Sequence, residues 1–430
     1  MPSRHPTLTT GDVHRHVRGH CLAAGGDAGG GSLGVELEWL TCPAEDPSAQ
    51  VSYAALCAAT ENAEPLPRGS RLTFEPGGQV ELSSPPKRGI AAAHDAVAHD
   101  LDVLRGALAA EGIAILPFGL DPVRCRERVV RSTRYDAMER YFDAQGGAGR
   151  MMMCGTASVQ VNVDLGGNGS AASRWALAHA VGPTLAAAFA NSPVVAGRRT
   201  RYRSARLAIW AAVDRSRTAP ASLAARVVDP GEAWIRYALD ARVMLVRVSA
   251  ERFEPVLEHL TFGEWMARGH ELGWPTELDF AYHLTTLFPP VRLRGWLELR
   301  MVDALPEPWW RVPGAIVTAL LDDGAAAEEA ARATLPTAGL WHDAARLGLS
   351  HPGLAQAARR CFTAALDALP RLGADDETRD ACAEYVERFV LRGRCPADDV
   401  LDAWVREGPA SLRQTTPTLA PTPNLKAAWI

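Results

Sequence analysis

Lysine is almost missing from this chain of 430 residues: Lys87 and Lys426 are the only two, so 43 of the 45 basic residues are arginine. A Walker phosphate loop requires Gly-Lys-Ser/Thr, and neither lysine stands in one. A Schiff-base enzyme would have to use one of the same two positions. If the protein handles a nucleotide, metal ions and arginine must grip the phosphates. The eight cysteines form no C-x-x-C and no regular spacing, which in a chain of this length points to reduced, structural thiols. No apolar run reaches about 18 residues and no charged-then-apolar leader occupies Met1 to Gly25, so a soluble, cytoplasmic protein without a membrane partner is expected. The net charge of -5 and pI near 6.2 argue against nucleic acid as the main partner.

What the chain does have is acid where strands normally carry Thr or Lys. In Thr73 to Ser84 (T-F-E-P-G-G-Q-V-E-L-S-S), Glu75 and Glu81 bracket a Pro-Gly-Gly turn. From the turn onward Gln79, Glu81 and Ser83 share one face and Val80 and Leu82 the other, the period of a half-buried strand. Gly34 to Leu40 repeats this, with Glu36 and Glu38 opposite Val35 and Leu37. In Val159 to Leu165, Gln160, Asn162 and Asp164 oppose three valines. Val291 to Val302 reads as one long strand with Arg292, Arg294, Trp296, Glu298 and Arg300 on a single face.

If these strands share a sheet, one face is a core and the other a polar cavity holding Glu36, Glu38, Glu75, Glu81 and Glu298. Two like charges roughly 4 Å apart repel by about 4 kcal/mol at an effective dielectric near 20, so such a cluster calls for protons or cations. An all-oxygen donor set suits Mg²⁺ or Mn²⁺ better than zinc. Arginines on the neighbouring strand suit carboxylate and phosphate ligands. The run R-R-T-R-Y-R-S-A-R at 198 to 206 offers Arg201 and Arg203 as further contacts to phosphate or substrate carboxylate, or else is a solvated loop. Met151, Met152 and Met153 are either a soft substrate wall or core.

The remaining elements follow from periodicity and capping. Helices are expected over 9–24, 52–60, 90–110, 133–144, 171–190, 262–268 and 276–287, with a strand over 112–120, a strand region broken near Asp240 over 234–248 and a glycine- and methionine-rich loop over 146–155. Beyond Pro308 the chain is Ala-rich and helical. The expected organisation is an N-terminal helix and Gly-rich connector (1–31), a catalytic sheet with helices (32–320), a helical part packed on the same body (321–407) and a mobile tail (408–430).

Four motifs together resemble one family. G-V-E-L-E at 34–38, F-E-P-G-G-Q-V-E-L-S at 74–83, T-A-S-V-Q-V-N-V-D at 156–164 and H-L-T-T-L-F-P-P-V-R-L-R-G-W-L-E-L-R-M-V-D at 283–303 look like those of glutamate-cysteine ligases. The match is closest to the group shared by plants and bacteria, and within it to the actinobacterial enzymes associated with ergothioneine synthesis. The resemblance implies an α+β fold, a curved antiparallel sheet cradle of the glutamine-synthetase-like type. It also implies ATP and two or more Mg²⁺ bound without a P-loop, and ligation of L-glutamate to L-cysteine through a γ-glutamyl phosphate. Carried over, Glu36, Glu38, Glu75, Glu81 and Glu298 are metal ligands, and Gln160 and Asn162 lie at the metal or ATP edge. Arg292 and Arg294 bind carboxylate or phosphate, and Arg300 steadies the transferring phosphoryl group. A ligase for a different amine, or a non-catalytic glutamate or nucleotide binder, would share the same acids. The expected assembly is a monomer or small homo-oligomer.

Overall fold

The computed structural model describes residues 7–22, 31–61, 63, 65–166, 170–221, 229–408 and 411. The Gly-rich connector at 23–30 and nearly all of the expected tail lie outside the described residues. In chain order the strands are β1 (Ser32–Pro43), β2 (Arg71–Phe74), β3 (Val80–Ser83), β4 (Lys87–Arg88), β5 (Ile113–Leu116), β6 (Ser158–Val163), β7 (Val194–Val195), β8 (Arg198–Arg199), β9 (Leu245–Arg247), β10 (Phe253–Pro255), β11 (Val291–Leu293) and β12 (Leu297–Asp303). Eight of them form an open antiparallel sheet in the order β11-β12-β6-β1-β3-β2, with β4 and β5 also paired to β1. The fold is α+β.

Register follows from the hydrophobic alternation, because a slip of one residue would turn every acid into the core. Glu38 stands opposite Glu81 across β1 and β3, and Glu36 opposite Gln160 across β1 and β6. Glu298 stands opposite Asn162 on β6 and Arg292 on β11. The other face carries Val35, Leu37, Val80, Leu82, Val161 and Leu299, all buried. Helices Ile90–Ala110, Ala171–Ala188 and Arg311–Asp322 pack on the sheet. One continuous apolar cluster runs from Leu8 through these strands to Phe362, Tyr385 and Phe389 of the C-terminal helices. Among the described residues no helix is long and apolar enough to cross a membrane.

Local chemistry sets most boundaries. Thr9 caps helix Thr10–His16 through a reciprocal box with Asp12, and Ser52 caps Tyr53–Thr60. Four expectations are corrected. The stretch 146–155 is not all loop: Ala148–Gly155 is a helix, consistent with the high helix propensity of its Ala, Arg and three Met. The region 234–248 is helical up to Asp240, as part of Pro230–Asp240, because Asp229 caps it, Pro230 opens it and Trp234, Ile235 and Ala238 bury one side; of the expected strand region only β9 is a strand. The strand expected at 112–120 is confined to β5. Finally, 291–302 is not one strand but the hairpin β11–β12, turned at Gly295 with φ +84°, a conformation that favours glycine.

Candidate active site

The turn between β2 and β3 is held from below. Glu75 N donates to Gln79 O (2.9 Å) and Gly78 N to Glu75 O (2.8 Å). Gln79 accepts from Gly77 N (2.9 Å) and donates through Nε2 to the carbonyls of Met153 (3.2 Å) and Thr156 (2.9 Å). Gly77 lies so close to the end of helix Ala148–Gly155 that a Cβ would stand 2.0 Å from the Cys154 carbonyl oxygen. The buried turn is therefore fixed to that helix, and Glu75 is fixed with it.

Nine of the expected metal-, ATP- or substrate-binding residues line one cavity of about 450 Å³: Glu36, Glu38, Glu75, Glu81 and Glu298, with Gln160, Arg292, Arg294 and Arg300; Gln79, Ser83, Trp296, Met152 and Met153 line it too. The hairpin brings Arg292 and Arg294 to this cavity from the β11 side of the turn at Gly295 and Arg300 from β12, not all from one strand. Asn162 stands behind it, donating to Glu36 Oε1 (3.0 Å) and accepting from Trp296 Nε1 (2.9 Å). Arg201 and Arg203 are not among the lining residues. Arg203 Nε donates to Asp398 (2.7 Å), and Arg201 lies over the ring of Tyr202, so the expected phosphate contacts at these two are withdrawn. Arg206, from the same run, does approach the site: it is buried, its Nη2 donates to the Arg300 carbonyl (2.9 Å), and it pairs with Asp303 (3.6 Å).

The acids fall into two electrostatic classes. Burial and its acidic neighbours Glu298 and Glu81 raise the Glu36 carboxyl to about 7. Burial, then Glu81 and Glu38, raise Glu75 to about 8. Glu38 and Glu81 are also raised, chiefly by burial. Glu298 goes the other way. Burial alone would raise it, but Arg292, Arg300 and Arg294 hold it at about 2, at 3.1, 2.9 and 3.4 Å respectively.

Neutral donors reach three of the first class, Glu36, Glu38 and Glu81. Ser158 Oγ and Gln160 Nε2 donate to Glu38 (2.9 and 2.6 Å), and Thr73 Oγ1 donates to Glu81 (2.5 Å). Arg300 also donates to the Gln160 amide oxygen. Among the described residues no three His, Cys, Asp or Glu groups converge as a formed metal site. The donor set nevertheless fits a hard divalent cation: no described lining residue is His or Cys, and the raised acids would ionise if a cation replaced the repulsion.

Sequence reasoning passed over Arg71, Arg134, Tyr135, Met138 and Trp210, which also line the cavity. Arg71 was accessible by parity, since Arg71, Thr73 and Glu75 alternate along the strand. Arg134 and Met138 are one helical turn apart on Thr133–Asp143, a spacing that places both on one face. Buried Cys154 is absent from the cavity wall, and burial pushes its thiol up to about 11. His283 donates to or accepts nothing from the cavity; its Nε2 contacts the Ala238 carbonyl at 2.9 Å.

Residues 32–416 match glutamate-cysteine ligase family 2 (GCS2). The chain belongs to this family. It is 42% identical over 385 residues to the glutamate-cysteine ligase EgtA of Mycolicibacterium smegmatis, covering 89% of each chain. It is 41% identical over 386 residues to EgtA of Mycobacterium tuberculosis, covering 89% of this chain and 88% of that one. The chloroplastic glutamate-cysteine ligase of Arabidopsis thaliana is 32% identical over 264 residues, 59% of this chain and 49% of that one. The glutamate-cysteine ligase of Francisella tularensis, solved in complex with AMP, shares the fold at TM-score 0.50 and 12% identity, over 91% of this chain and 88% of that one. A bifunctional glutathione synthetase from Pasteurella multocida aligns at TM-score 0.51 and 16% identity, over 90% and 52%. As a GCS2 member with these relatives, the protein is an enzyme of the ligase class.

Proposed function

We propose that the cavity joins the γ-carboxylate of L-glutamate to the amine of L-cysteine with cleavage of ATP, giving γ-glutamylcysteine, which enters ergothioneine biosynthesis. The observation that carries this reading is one cavity lined by four carboxylates, Glu36, Glu38, Glu75 and Glu81, and by a fifth, Glu298, clasped by three arginines. A site for two anions that must react with each other needs both halves.

In this reading a γ-carboxylate oxygen of glutamate attacks the γ-phosphorus of ATP, the bond to the β-phosphate oxygen breaks, and ADP leaves. The cysteine nitrogen then attacks the acyl carbon, inorganic phosphate departs and the nitrogen gives up its proton. Mg²⁺ held by Glu36, Glu38, Glu75, Glu81 and Glu298 would supply charge neutralisation for the phosphates. The protein's own groups do the rest. Arg292 and Arg294 bind the glutamate carboxylate or phosphate, and Arg300 meets the charge developing on the transferred phosphoryl group. Gln160 and Ser158 orient Glu38, Asn162 orients Glu36, and Arg206 with Asp303 holds the backbone of Arg300.

Purified protein given ATP, Mg²⁺ and L-glutamate should release ADP on addition of L-cysteine, with γ-glutamylcysteine identified by mass. ADP release with another amine only would move the acceptor. Release with none would leave a glutamate or nucleotide binder.

A further inference from the structure

Residues 7–22 lie before the 32–416 span that matches the family. Their helix, Thr10–His16, runs on into a π turn, Val17–Cys21, in which Leu22 N reaches back to Val17 O (3.0 Å). Together they pack on helices Pro230–Asp240 and Glu277–Leu284. Val13, Val17 and Cys21, spaced four apart on one helical side, are buried in the main core. His14 Nδ1 meets Glu232 Oε1 and His16 Nδ1 meets Glu277 Oε1, both at 3.3 Å, and the His16 ring stands edge-on to Phe280.

A helix leaves its final carbonyls without partners of its own. Here the carbonyl of Cys21 accepts from Gly295 N (2.8 Å). Gly295, at φ +84°, is the middle of the β11–β12 turn, between Arg294 and Trp296, and both of these line the cavity. On its other side the turn is tied to β6, because Trp296 Nε1 donates to Asn162 (2.9 Å), and Arg294 lies over the Trp296 ring. The Arg294 side chain is 44% exposed, against 8% for Arg292 and 14% for Arg300. Packing holds the last two in place, whereas Arg294 depends on the turn that carries it.

We propose that residues 7–22 are a positioning element for the active site: the Cys21 carbonyl, by holding the Gly295 N–H, fixes the turn that aims Arg294 into the cavity. This rests on the ligase reading above, which gives Arg294 a carboxylate or phosphate to bind. Glycine has the widest backbone freedom of any residue, so a Gly295 released from Cys21 lets the turn swing and the half-exposed guanidinium with it. A misplacement of about 1 Å in a group that positions substrate costs up to roughly 100-fold.

The test undocks the segment in the full-length protein. Val17→Asp puts a charge on its buried side; Val17→Ala, which keeps that side apolar, is the milder companion and is read the same way if the first does not fold. Hydrogen exchange read by mass spectrometry should show the peptide carrying Gly295 protected in wild type and exchanging at least about five-fold faster in the variants. In steady-state assays with ATP, Mg²⁺, L-glutamate and L-cysteine, Arg294→Ala identifies the substrate this arginine binds by the KM that rises. Val17→Asp should raise that same KM about ten-fold with kcat within about three-fold. It should add less than about two-fold when Arg294 is already alanine. Equal effects in both backgrounds overturn the proposal, as does an Arg294→Ala enzyme with every KM unchanged. A fall in kcat alone also overturns it, since that is what a smaller folded fraction produces. Unchanged exchange at Gly295 in the variants overturns it without any turnover being measured. Wild-type protein that protects Gly295 but releases no ADP with cysteine overturns the ligase reading, and the positioning role with it, while the exchange still reports the contact.

Discussion

Glu298 and Glu38 look alike in the sequence and behave oppositely in the fold. Glu298 is wholly buried between Arg292, Arg294 and Arg300, whereas Glu38 is half-buried among neutral donors and faces Glu81. Both Glu38→Ala and Glu298→Ala should reduce turnover at least about 100-fold, the scale of losing one preorganised charge contact. Their stabilities should separate. Removing Glu38 relieves repulsion, so its melting temperature should hold or rise. Removing Glu298 strands buried arginine, at a cost of about 3–5 kcal/mol, so it should melt earlier. Thermal melts beside ADP assays check both. Arg292→Lys should raise KM for glutamate, because a planar fork gives way to a point charge; steady-state kinetics with varied glutamate reads this directly. The five acids were legible because strand parity declares which side chains share a face. Arg201 and Arg203 were not, since a run of like charge says nothing about where the backbone turns it. Arg206 was hidden in the same run.

At the scale of elements, the turn from Glu75 to Gln79 decides whether the acids meet. Gly77→Ala would push a methyl into the Cys154 carbonyl, an overpacking that costs about 1–3 kcal/mol, and would shift Glu75 with it. Chemical denaturation should show that loss, and ADP release should fall with it. The long helices and β1, β3 and β6 could be read from period and caps. The hairpin β11–β12 could not, because alternation continues through Arg294 and Trp296, and only the positive φ at Gly295 reveals the turn. Pro230–Asp240 was misread for a different reason. Its Trp, Ile and Tyr suit strands, yet the Asp229 cap and Pro230 at the first turn, with burial of one helical side, outweigh that preference.

For the whole molecule, one antiparallel sheet separates a continuous apolar core from a crowded acidic cavity, and the two faces respond differently to pH. Glu36 and Glu75 ionise at about 7 and about 8 in the fold, against 4.5 when unperturbed. Between about 4.5 and about 8 the folded state thus holds more protons than the unfolded one, so metal-free protein should lose stability as pH rises across that window. Mg²⁺ should restore it, increasingly at the upper end, in melts with and without chelator. Glu298, held at about 2, works the other way: its contribution is present above 4.5 and fades only as pH falls toward 2.

The central claim is that this cavity activates the γ-carboxylate of glutamate by phosphorylation. Glutamate labelled with ¹⁸O in that carboxylate, turned over with ATP, Mg²⁺ and L-cysteine, tests it most directly. The inorganic phosphate released should carry one labelled oxygen per turnover. Phosphate released without label would contradict it.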